Sequence, residues 1–365
     1  MKRMTCILLA MVLAFSFAGC GSAAPEPEAV RTIVDQDGFE VALPEKIERI
    51  VVCDILPLPS VLAVFFDSAD KIVGMSGTSM AAAENGLLGE IYPEILEAET
   101  GFIDGSTVNA EELMKLQPDV VFYNASRKEL GQSLRKAGFP AVAISVNKWY
   151  YDCVETLNQW IALLSEMFPD NDKTELVARY SQEALELVQQ RVAAVPERER
   201  VFFLYQYGET TMMTSGGKFF GQWWADAIGA DNVAGELKTD NSVSVNMEQV
   251  YAWDPSLIFI TNFTTATEED LYENTIGVYD WSEISAVKNK RVYKMPLGMY
   301  RSYTPGVDTP VTLLWLAKTA YPEQFADIDL TARTKEYYQQ VFGISLTDAQ
   351  VASIFSPPAE AGAGF

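Results

Sequence analysis

Asn109-Ala-Glu-Glu-Leu-Met-Lys-Leu-Gln-Pro118-Asp-Val-Val-Phe122 decides the fold, because Asn246-Met-Glu-Gln-Val-Tyr-Ala-Trp-Asp-Pro255-Ser-Leu-Ile-Phe259 repeats its pattern later in the chain. Each copy predicts a short helix with an Asn cap, a proline that ends the helix, and a buried parallel strand. Glu112 and Gln249 stand at the position that completes a capping box. The spacing is too long for a solenoid unit, so the sequence predicts two lobes built alike, with a ligand cleft between them.

Strand patterns that alternate with helical patterns extend this prediction to an α/β fold. We expect two similar Rossmann-like lobes with mostly parallel sheets, joined by one long helix. A hairpin is predicted over residues 32–44, because the pattern alternates around an Asp-Gly turn. The predicted boundaries are 31–150 for the first lobe, 151–197 for the connecting helical segment, 198–355 for the second lobe and 356–365 for a disordered tail.

The start of the chain has the features of a bacterial signal peptide over residues 1–19. Met-Lys-Arg precedes an apolar run that is too short for a permanent membrane span. The run ends at Phe17-Ala-Gly-Cys20, which resembles the lipobox of bacterial lipoproteins, with Phe17 in place of the more usual Leu. The resemblance implies acylation of Cys20, with residues 20–30 as a tether on the outer face of the cytoplasmic membrane. Ordinary secretion with nearby cleavage is the alternative.

The chain is strongly acidic, with a formal net charge of −23 that becomes −25 when Lys2 and Arg3 leave with the signal peptide. Such a surface is a poor partner for nucleic acid or for anionic lipid. No later apolar run approaches the length of a transmembrane helix, so passage of a ligand through the membrane requires another protein. We expect a lipid-anchored monomer, in the periplasm or at the cell surface.

Histidine is absent, which excludes Ser-His-Asp and Cys-His nucleophile systems and the usual imidazole ligands of zinc and copper. The chain also lacks Walker and dinucleotide-binding fingerprints, so we expect no enzyme, no cofactor and no protein metal site. An enzyme or a surface sensor on the same fold is the alternative from another class. Cys53 and Cys153 remain after Cys6 and Cys20 are assigned to the leader and the anchor. Either a disulfide bond or two buried thiols fits their number.

Several motifs in a fixed order carry a family resemblance between about Thr32 and Gln350. They are Asp37-Gly-Phe-Glu-Val-Ala-Leu-Pro44 before Glu48-Arg-Ile-Val51, the two Asn-x-Glu elements, Trp281 to Val292 with Ala-Val-Lys-Asn-Lys-Arg-Val, and Trp315-Leu-Ala-Lys318 before Tyr321-Pro-Glu-Gln-Phe-Ala-Asp-Ile-Asp329. Together they resemble the iron-siderophore, heme and cobalamin class of solute-binding lipoproteins that feed ABC importers. The resemblance implies an ABC permease dimer with its ATPase as the partner.

In that class, one glutamate on each lobe docks on arginines of the permease. The matching positions are Glu111 and Glu248, each in the first turn of a predicted helix. The alternative is that each acid only complements the helix dipole, an effect of about 0.3–1 kcal/mol.

Ligands of open α/β sheets bind beyond the carboxyl ends of the strands, so the residues that follow each strand are the candidates. The aromatic and cationic ones are Arg127, Lys148, Trp149, Tyr150, Tyr205, Tyr207, Tyr300 and Arg301. Aromatic rings can stack on a conjugated ligand and cations can pair with its negative charge, which favours a ferric siderophore. A corrinoid such as cobalamin, heme, and an oxyanion such as molybdate are the alternatives. Arg301 could also form a salt bridge with Asp308 within its own lobe.

Overall fold

Two sheets form the framework of residues 31–364, the residues that the computed structural model describes. The predicted signal peptide, the tether with Cys20, and Phe365 lie outside these residues. The strands are β1 (Arg31–Val34), β2 (Glu40–Leu43), β3 (Ile50–Val52), β4 (Ile72–Gly74), β5 (Ile103–Asp104), β6 (Thr107–Val108), β7 (Val120–Asn124), β8 (Ala141–Ile144), β9 (Arg200–Tyr207), β10 (Met212–Ser215), β11 (Asp231–Asn232), β12 (Ser242–Ser244), β13 (Leu257–Ile260) and β14 (Val292–Lys294).

Helices cover both sheets and connect the strands. They are α1 (Leu58–Phe66), α2 (Gly77–Asn85), α3 (Leu87–Ile91), α4 (Ala110–Lys115), α5 (Lys128–Lys136), α6 (Cys153–Met167), α7 (Thr174–Val192), α8 (Phe220–Ala227), α9 (Met247–Trp253), α10 (Glu268–Glu273), α11 (Ser285–Lys288), α12 (Thr309–Ala320), α13 (Leu330–Phe342) and α14 (Asp348–Phe355). Among residues 31–364, no helix combines the length and the apolar composition that crossing a membrane requires.

The two sheets confirm the predicted repeat. The first has the order β4-β3-β7-β8 and is parallel throughout. In the second, β11-β9-β13-β14 reproduces that order, also in parallel, and β10 and β12 extend it as antiparallel strands beyond β9. The predicted hairpin is confirmed as the antiparallel pair β1-β2. The parallel strands β3, β7, β8 and β13 are almost entirely buried, as helices on both faces require.

Asparagine caps open α4 and α9, the helices of the repeated element. The Asn109 side chain accepts hydrogen bonds from the backbone N–H groups of Glu111 (3.0 Å) and Glu112 (3.3 Å). Asn246 and Gln249 form the reciprocal capping box, with distances of 3.0 and 3.1 Å. In the first copy Glu112 instead forms a salt bridge with Lys115, so the Asn cap is the part of the motif that both lobes share.

A helical connection follows the first sheet, with α6 packed on α7 and α7 packed on α12 of the second lobe. Asp152 caps α6 by accepting from the Glu155 N–H at 2.9 Å. Cys53 ends β3 and Cys153 begins α6, and both are free, buried thiols in different apolar clusters. The structure therefore favours two buried thiols over a disulfide bond between Cys53 and Cys153.

Helices α13 and α14 correct the predicted boundary of the second lobe at residue 355. Tyr337, Val341, Phe342 and Ile354 are buried in the same apolar cluster as the first-lobe strand β3 and helix α1. The chain thus returns to the first lobe after α12. The sequence shows that these helices have an apolar face, but the surface that covers this face is set by tertiary packing.

A buried carboxylate joins the lobes at the start of α12. Asp308 is 4% exposed and accepts hydrogen bonds from the backbone N–H groups of Met299 (2.8 Å) and Tyr300 (3.4 Å). The Tyr338 hydroxyl of α13 donates to the same carboxylate. A Cβ atom at Gly298 would overlap the carboxylate, so glycine permits this close approach. Asp308 therefore fixes the loop of residues 295–303, which we call the arginine loop.

Burial raises the pKa of Asp308 from 3.8 to about 6. The folded protein thus holds this proton more tightly than the unfolded chain, and stability must fall as the pH rises through this window. We expect the free energy of unfolding of the wild type, relative to that of Asp308→Asn, to decrease by about 2 kcal/mol between pH 4 and pH 7. Urea denaturation at several pH values measures this difference.

Asp327 provides the matched control, because its exposed carboxylate has its pKa lowered to about 2 by Arg191. Its stabilising effect is complete above pH 4 and is lost only toward pH 2. The stability difference between the wild type and Asp327→Asn should be constant from pH 4 to 7. A constant difference for Asp308→Asn as well would contradict the assignment of Asp308 as a buried, proton-retaining group.

Candidate ligand site between the lobes

Arg301 is the central residue of the cleft. Its side chain is 0% exposed, although the guanidinium belongs to the arginine loop at the carboxyl end of β14. Nε donates to the backbone carbonyl oxygen of Ala361 (3.2 Å) and Nη2 to that of Ala363 (2.7 Å). Burial lowers the pKa of Arg301, yet a guanidinium stays charged in proteins. The site thus holds a buried positive charge whose donors point at oxygen atoms.

Aromatic rings surround this charge. The guanidinium carbon lies 5.2 Å from the ring centre of Phe263 and 5.9 Å from that of Tyr300. The ring of Tyr205 packs on Phe263 at 5.1 Å and on Tyr303 at 5.5 Å. Burial raises the pKa of Tyr205 to about 12 and moves that of Tyr300 in the same direction, so both hydroxyls keep their protons. Both are therefore hydrogen-bond donors in the protonated form beside Arg301.

The segment of residues 359–364, which we call the cleft segment, spans the two lobes. On the second lobe it accepts the two hydrogen bonds from Arg301, and on the first lobe the Thr78 hydroxyl donates to the Gly364 carbonyl oxygen at 2.9 Å. The segment includes a short 3₁₀ helix, Ala359–Gly362, and Ala361 is fully buried. The predicted disorder of residues 356–365 is thus wrong for its described part. Small residues do not bury much surface, but they let two backbones approach closely.

The first lobe contributes the start of α2. Ser76 caps this helix by accepting from the Ser79 N–H at 3.1 Å, and Thr78 lies in its first turn. The Ser79 hydroxyl donates to the Leu56 carbonyl oxygen at 2.8 Å, which holds the helix against the loop after β3. The N-terminus of α2 therefore faces the cleft segment with a hydroxyl donor.

The other cationic candidates are engaged within the first lobe. Arg127 forms a 2.9 Å salt bridge with Asp54, whose second oxygen accepts from the Asn124 N–H at 2.7 Å. Lys148 donates to the Gln36 carbonyl oxygen at 3.2 Å and lies 5.6 Å from the ring centre of Trp149. The structure thus does not bring these cations to Arg301.

The predicted aromatic candidates separate into two groups. Tyr205 and Tyr300 lie beside Arg301, whereas the Tyr207 hydroxyl accepts from Trp281 at 2.9 Å and donates to Ile276 O within the core of the second lobe. Tyr150 is 91% exposed with a φ of +55°. Such backbone is uncommon for a residue other than glycine. Tyr205 and Tyr207 are two residues apart and would share a face of a regular strand, but the register of β9 against β10 shifts beside Tyr205, and the two rings enter different apolar clusters. A single sequence does not show this irregularity.

Phe263 and Thr78 also follow strands, β13 and β4, although they were not chosen as candidates. Sequence reasoning missed Tyr303 and the cleft segment. Lys294 at the end of β14 was also missed: it is buried, and its Nζ donates to the carbonyl oxygens of Thr264 and Ala266, each at 2.6 Å. Burial lowers the pKa of Lys294 to about 7. Lys294 therefore holds the loop on which Gly362 packs, and a lysine within a strand gives no sequence signal for this role.

Both predicted docking residues are exposed in the first turns of their helices. Glu111 lies in the first turn of α4 and Glu248 in that of α9. Among residues 31–364, neither carboxylate lies within 4.0 Å of a cationic nitrogen atom. The repeated fold thus presents one accessible acid on each lobe.

Comparison with known proteins agrees with this architecture. The molybdate-binding protein MolA of Haemophilus influenzae is 29% identical over 343 residues, which span 87% of this chain and 92% of the relative. The structure of MolA bound to molybdate superimposes with a TM-score of 0.73 at 25% identity, covering 87% of this chain and 99% of that chain. A periplasmic solute-binding protein from Veillonella parvula gives a TM-score of 0.79 at 28% identity, covering 90% and 97%.

A further relative is described as an ABC transporter substrate-binding lipoprotein of Bacillus subtilis, YvrC, and is 22% identical over 90% of this chain and 100% of its own length. The family match itself covers residues 60–297, from within α1 to the arginine loop, and thus the second sheet and every strand of the first sheet except β3. The chain belongs to the periplasmic binding protein family.

Proposed function

We propose that the chain is the extracytoplasmic substrate-binding component of an ABC importer, and that its ligand is a small oxyanion of the molybdate type bound at Arg301. The observation that carries this proposal is the buried guanidinium that donates to two separate oxygen atoms between the lobes. A guanidinium fork matches two oxygens of one anion in the same way. The protonated hydroxyls of Tyr205 and Tyr300 and the Thr78 hydroxyl add donors from both lobes.

Charge and sequence similarity support the same ligand class. A buried cation favours an anion, because pairing offsets the cost of removing the charge from water. The α2 N-terminus directs a partial positive charge to the same side of the cleft, which also favours a bound anion. The 29% identity to a molybdate-binding protein over 87% of the chain supports this choice among the anions.

A ferric siderophore or similar iron chelate is the second candidate. The observation that favours it is the aromatic wall of Tyr205, Phe263 and Phe219, in which the Tyr205–Phe219 ring centres are 6.0 Å apart. Such rings stack on catecholate or other conjugated groups. This ligand is much larger than an oxyanion and would need a cleft free of residues 359–364.

Replacing Arg301 tests the ligand. We expect Arg301→Ala to weaken molybdate binding by at least about 100-fold, because two charge-assisted hydrogen bonds are each worth about 1.5–3 kcal/mol. Arg301→Lys should lose less, since it keeps the charge but not the fork. Isothermal titration calorimetry gives the dissociation constants, and thermal unfolding shows that each variant is folded.

Arg127→Lys is the control, because Arg127 already pairs with Asp54. This substitution should change the molybdate affinity less than twofold. Equal molybdate affinities for the wild type and Arg301→Ala would remove Arg301 from the site. Tight binding of a ferric siderophore without any response to molybdate would select the second candidate.

Permease docking through Glu111 and Glu248 completes the proposed role. The double variant Glu111→Ala, Glu248→Ala should lose most uptake into cells while its ligand dissociation constant is unchanged, because each lost ion pair at an interface costs about 2–5 kcal/mol. The pair Glu112→Ala, Glu269→Ala changes two other acids in the first turns of helices and should transport normally. Full uptake by the first pair would refute the docking assignment.

Anchoring through Cys20 is the remaining part of the proposal. Cys20→Ala removes the thiol that the lipobox resemblance marks for acylation, so the protein should move from the membrane fraction to the soluble extracytoplasmic fraction. Immunoblots of the two fractions measure this shift, with Cys53→Ala as a variant that should stay in the membrane fraction. Retention of Cys20→Ala in the membrane fraction would exclude this anchor.

A further inference from the structure

The cleft segment occupies the position that a ligand of Arg301 would need. Its Ala361 and Ala363 carbonyl oxygens take the Nε and Nη2 donors of Arg301, and its Gly364 carbonyl oxygen takes the Thr78 hydroxyl. These donors come from opposite lobes. The segment therefore closes the cleft by the same donor-to-oxygen contacts that an oxyanion would make.

The fit of the segment against the second lobe is close. Gly362 packs on the Thr264 backbone, where a Cβ atom would overlap the Thr264 carbonyl oxygen. The Lys294 ammonium group donates a hydrogen bond to the same carbonyl oxygen and fixes its position. Ala361 beside it is 0% exposed. The contact with Thr264 requires glycine at position 362, so the segment occupies a specific position against the second lobe.

The outer end of the segment is open to solvent. Ala363 and Gly364 are exposed, and a cavity of about 410 Å³ lies beside them, lined by Phe263, Thr264 and Gly362 among others. Ser356-Pro-Pro358 joins the segment to α14 without regular structure. Residues 359–364 can thus move out of the cleft while α14 remains packed on the first lobe.

We infer that residues 359–364 are an intramolecular competitor, which occupies the donors of Arg301 and Thr78 in the unliganded protein and is displaced when an oxyanion binds. The inference rests on the proposed function, because it takes Arg301 as the ligand-binding residue. Binding of the segment and of the ligand is mutually exclusive, so the apparent affinity is the intrinsic affinity multiplied by the fraction of molecules with an open cleft.

Two variants remove the competitor without touching Arg301. One ends the chain at Pro358, and the other, Gly362→Val, places a side chain where the Thr264 backbone leaves no room. Both should bind molybdate about 10-fold more tightly than the wild type in calorimetry. Glu360→Gln, at an exposed position of the same segment, is the matched control and should keep the wild-type affinity.

A disulfide can lock the segment in its seat. An ideal Cβ at Gly364 lies 3.5 Å from the Cβ of Ala81, within the range of about 3.5–4.5 Å found in disulfides. The φ of +79° at Gly364 disfavours cysteine, so the disulfide must hold residue 364 against this backbone strain. The variant Ala81→Cys, Gly364→Cys, made with Cys20→Ala, should lose molybdate binding at least 10-fold when oxidised and regain it on reduction. Cys53 and Cys153 are buried and do not compete for the bond.

Chemical modification of Arg301 tests, without any ligand, whether the cleft segment shields this side chain. Phenylglyoxal should modify Arg301 slowly in the intact chain and at least 10-fold faster in the chain that ends at Pro358, as measured by peptide mass spectrometry. The exposed Arg179 of α7 is the internal control and should react equally in both proteins.

The outcomes separate the two proposals. Arg301 could be modified faster in the chain that ends at Pro358 while no variant binds molybdate. That result would support the segment as the cover of Arg301 and would refute an oxyanion as the ligand. Unchanged modification, unchanged affinity of the shortened chain, or equal binding by the oxidised and reduced double-cysteine variant would overturn the competitor. Loss of molybdate binding on shortening the chain would also overturn it, because the segment would then be part of the ligand site.

Discussion

The buried carboxylate of Asp308 is the group on which the geometry of the cleft depends. It binds the backbone of the arginine loop on one side and the Tyr338 hydroxyl on the other, so a second-lobe loop is tied to a helix in the core of the first lobe. Met299 of the same loop lies in the apolar cluster of the first lobe. A large separation of the lobes would break these hydrogen bonds and expose this apolar surface, so the connection favours small movements.

The chemistry of the cleft follows from a charge that has been removed from water. Arg301 keeps its proton at any physiological pH, and burial makes oxygen acceptors necessary. In this structure the acceptors are backbone carbonyl groups of residues 361 and 363. Lys294 uses carbonyl groups in the same way, at Thr264 and Ala266. Backbone oxygens thus accept from two buried basic side chains in an otherwise acidic chain, and Arg301 is the one at the cleft.

The two lobes share a framework and differ in function. The strand order and the Asn-capped helix are duplicated, because caps, proline stops and buried apolar runs act locally. The cleft is asymmetric: the second lobe supplies Arg301, Tyr205 and Tyr300, and the first supplies the N-terminus of α2 with Thr78. The exposed acids Glu111 and Glu248 occupy equivalent places in the two lobes, as the docking on a permease dimer that we propose would require.

Local signals in the sequence determined the secondary structure, the repeat and the family. The hairpin around Asp37-Gly38, the capped helices and the parallel strands were predictable, because each depends on residues close together in the chain. The identity of the cleft residues was only partly predictable. Tyr205, Tyr300 and Arg301 stand at strand ends, as the rule for open sheets requires, but Tyr207 and Arg127 have the same sequence signal and are engaged elsewhere.

Tertiary structure decided the remainder. The partner of Arg127, the return of α13 and α14 to the first lobe and the seat of residues 359–364 each join positions far apart in the chain. The composition of the cleft segment resembles that of a disordered tail, because Ala, Gly and Pro bury little surface. Its order arises from hydrogen bonds to Arg301 and Thr78 and from close backbone contact at Gly362. A single sequence carries no local signal for such contacts, since the groups that satisfy them become neighbours only when both lobes have folded.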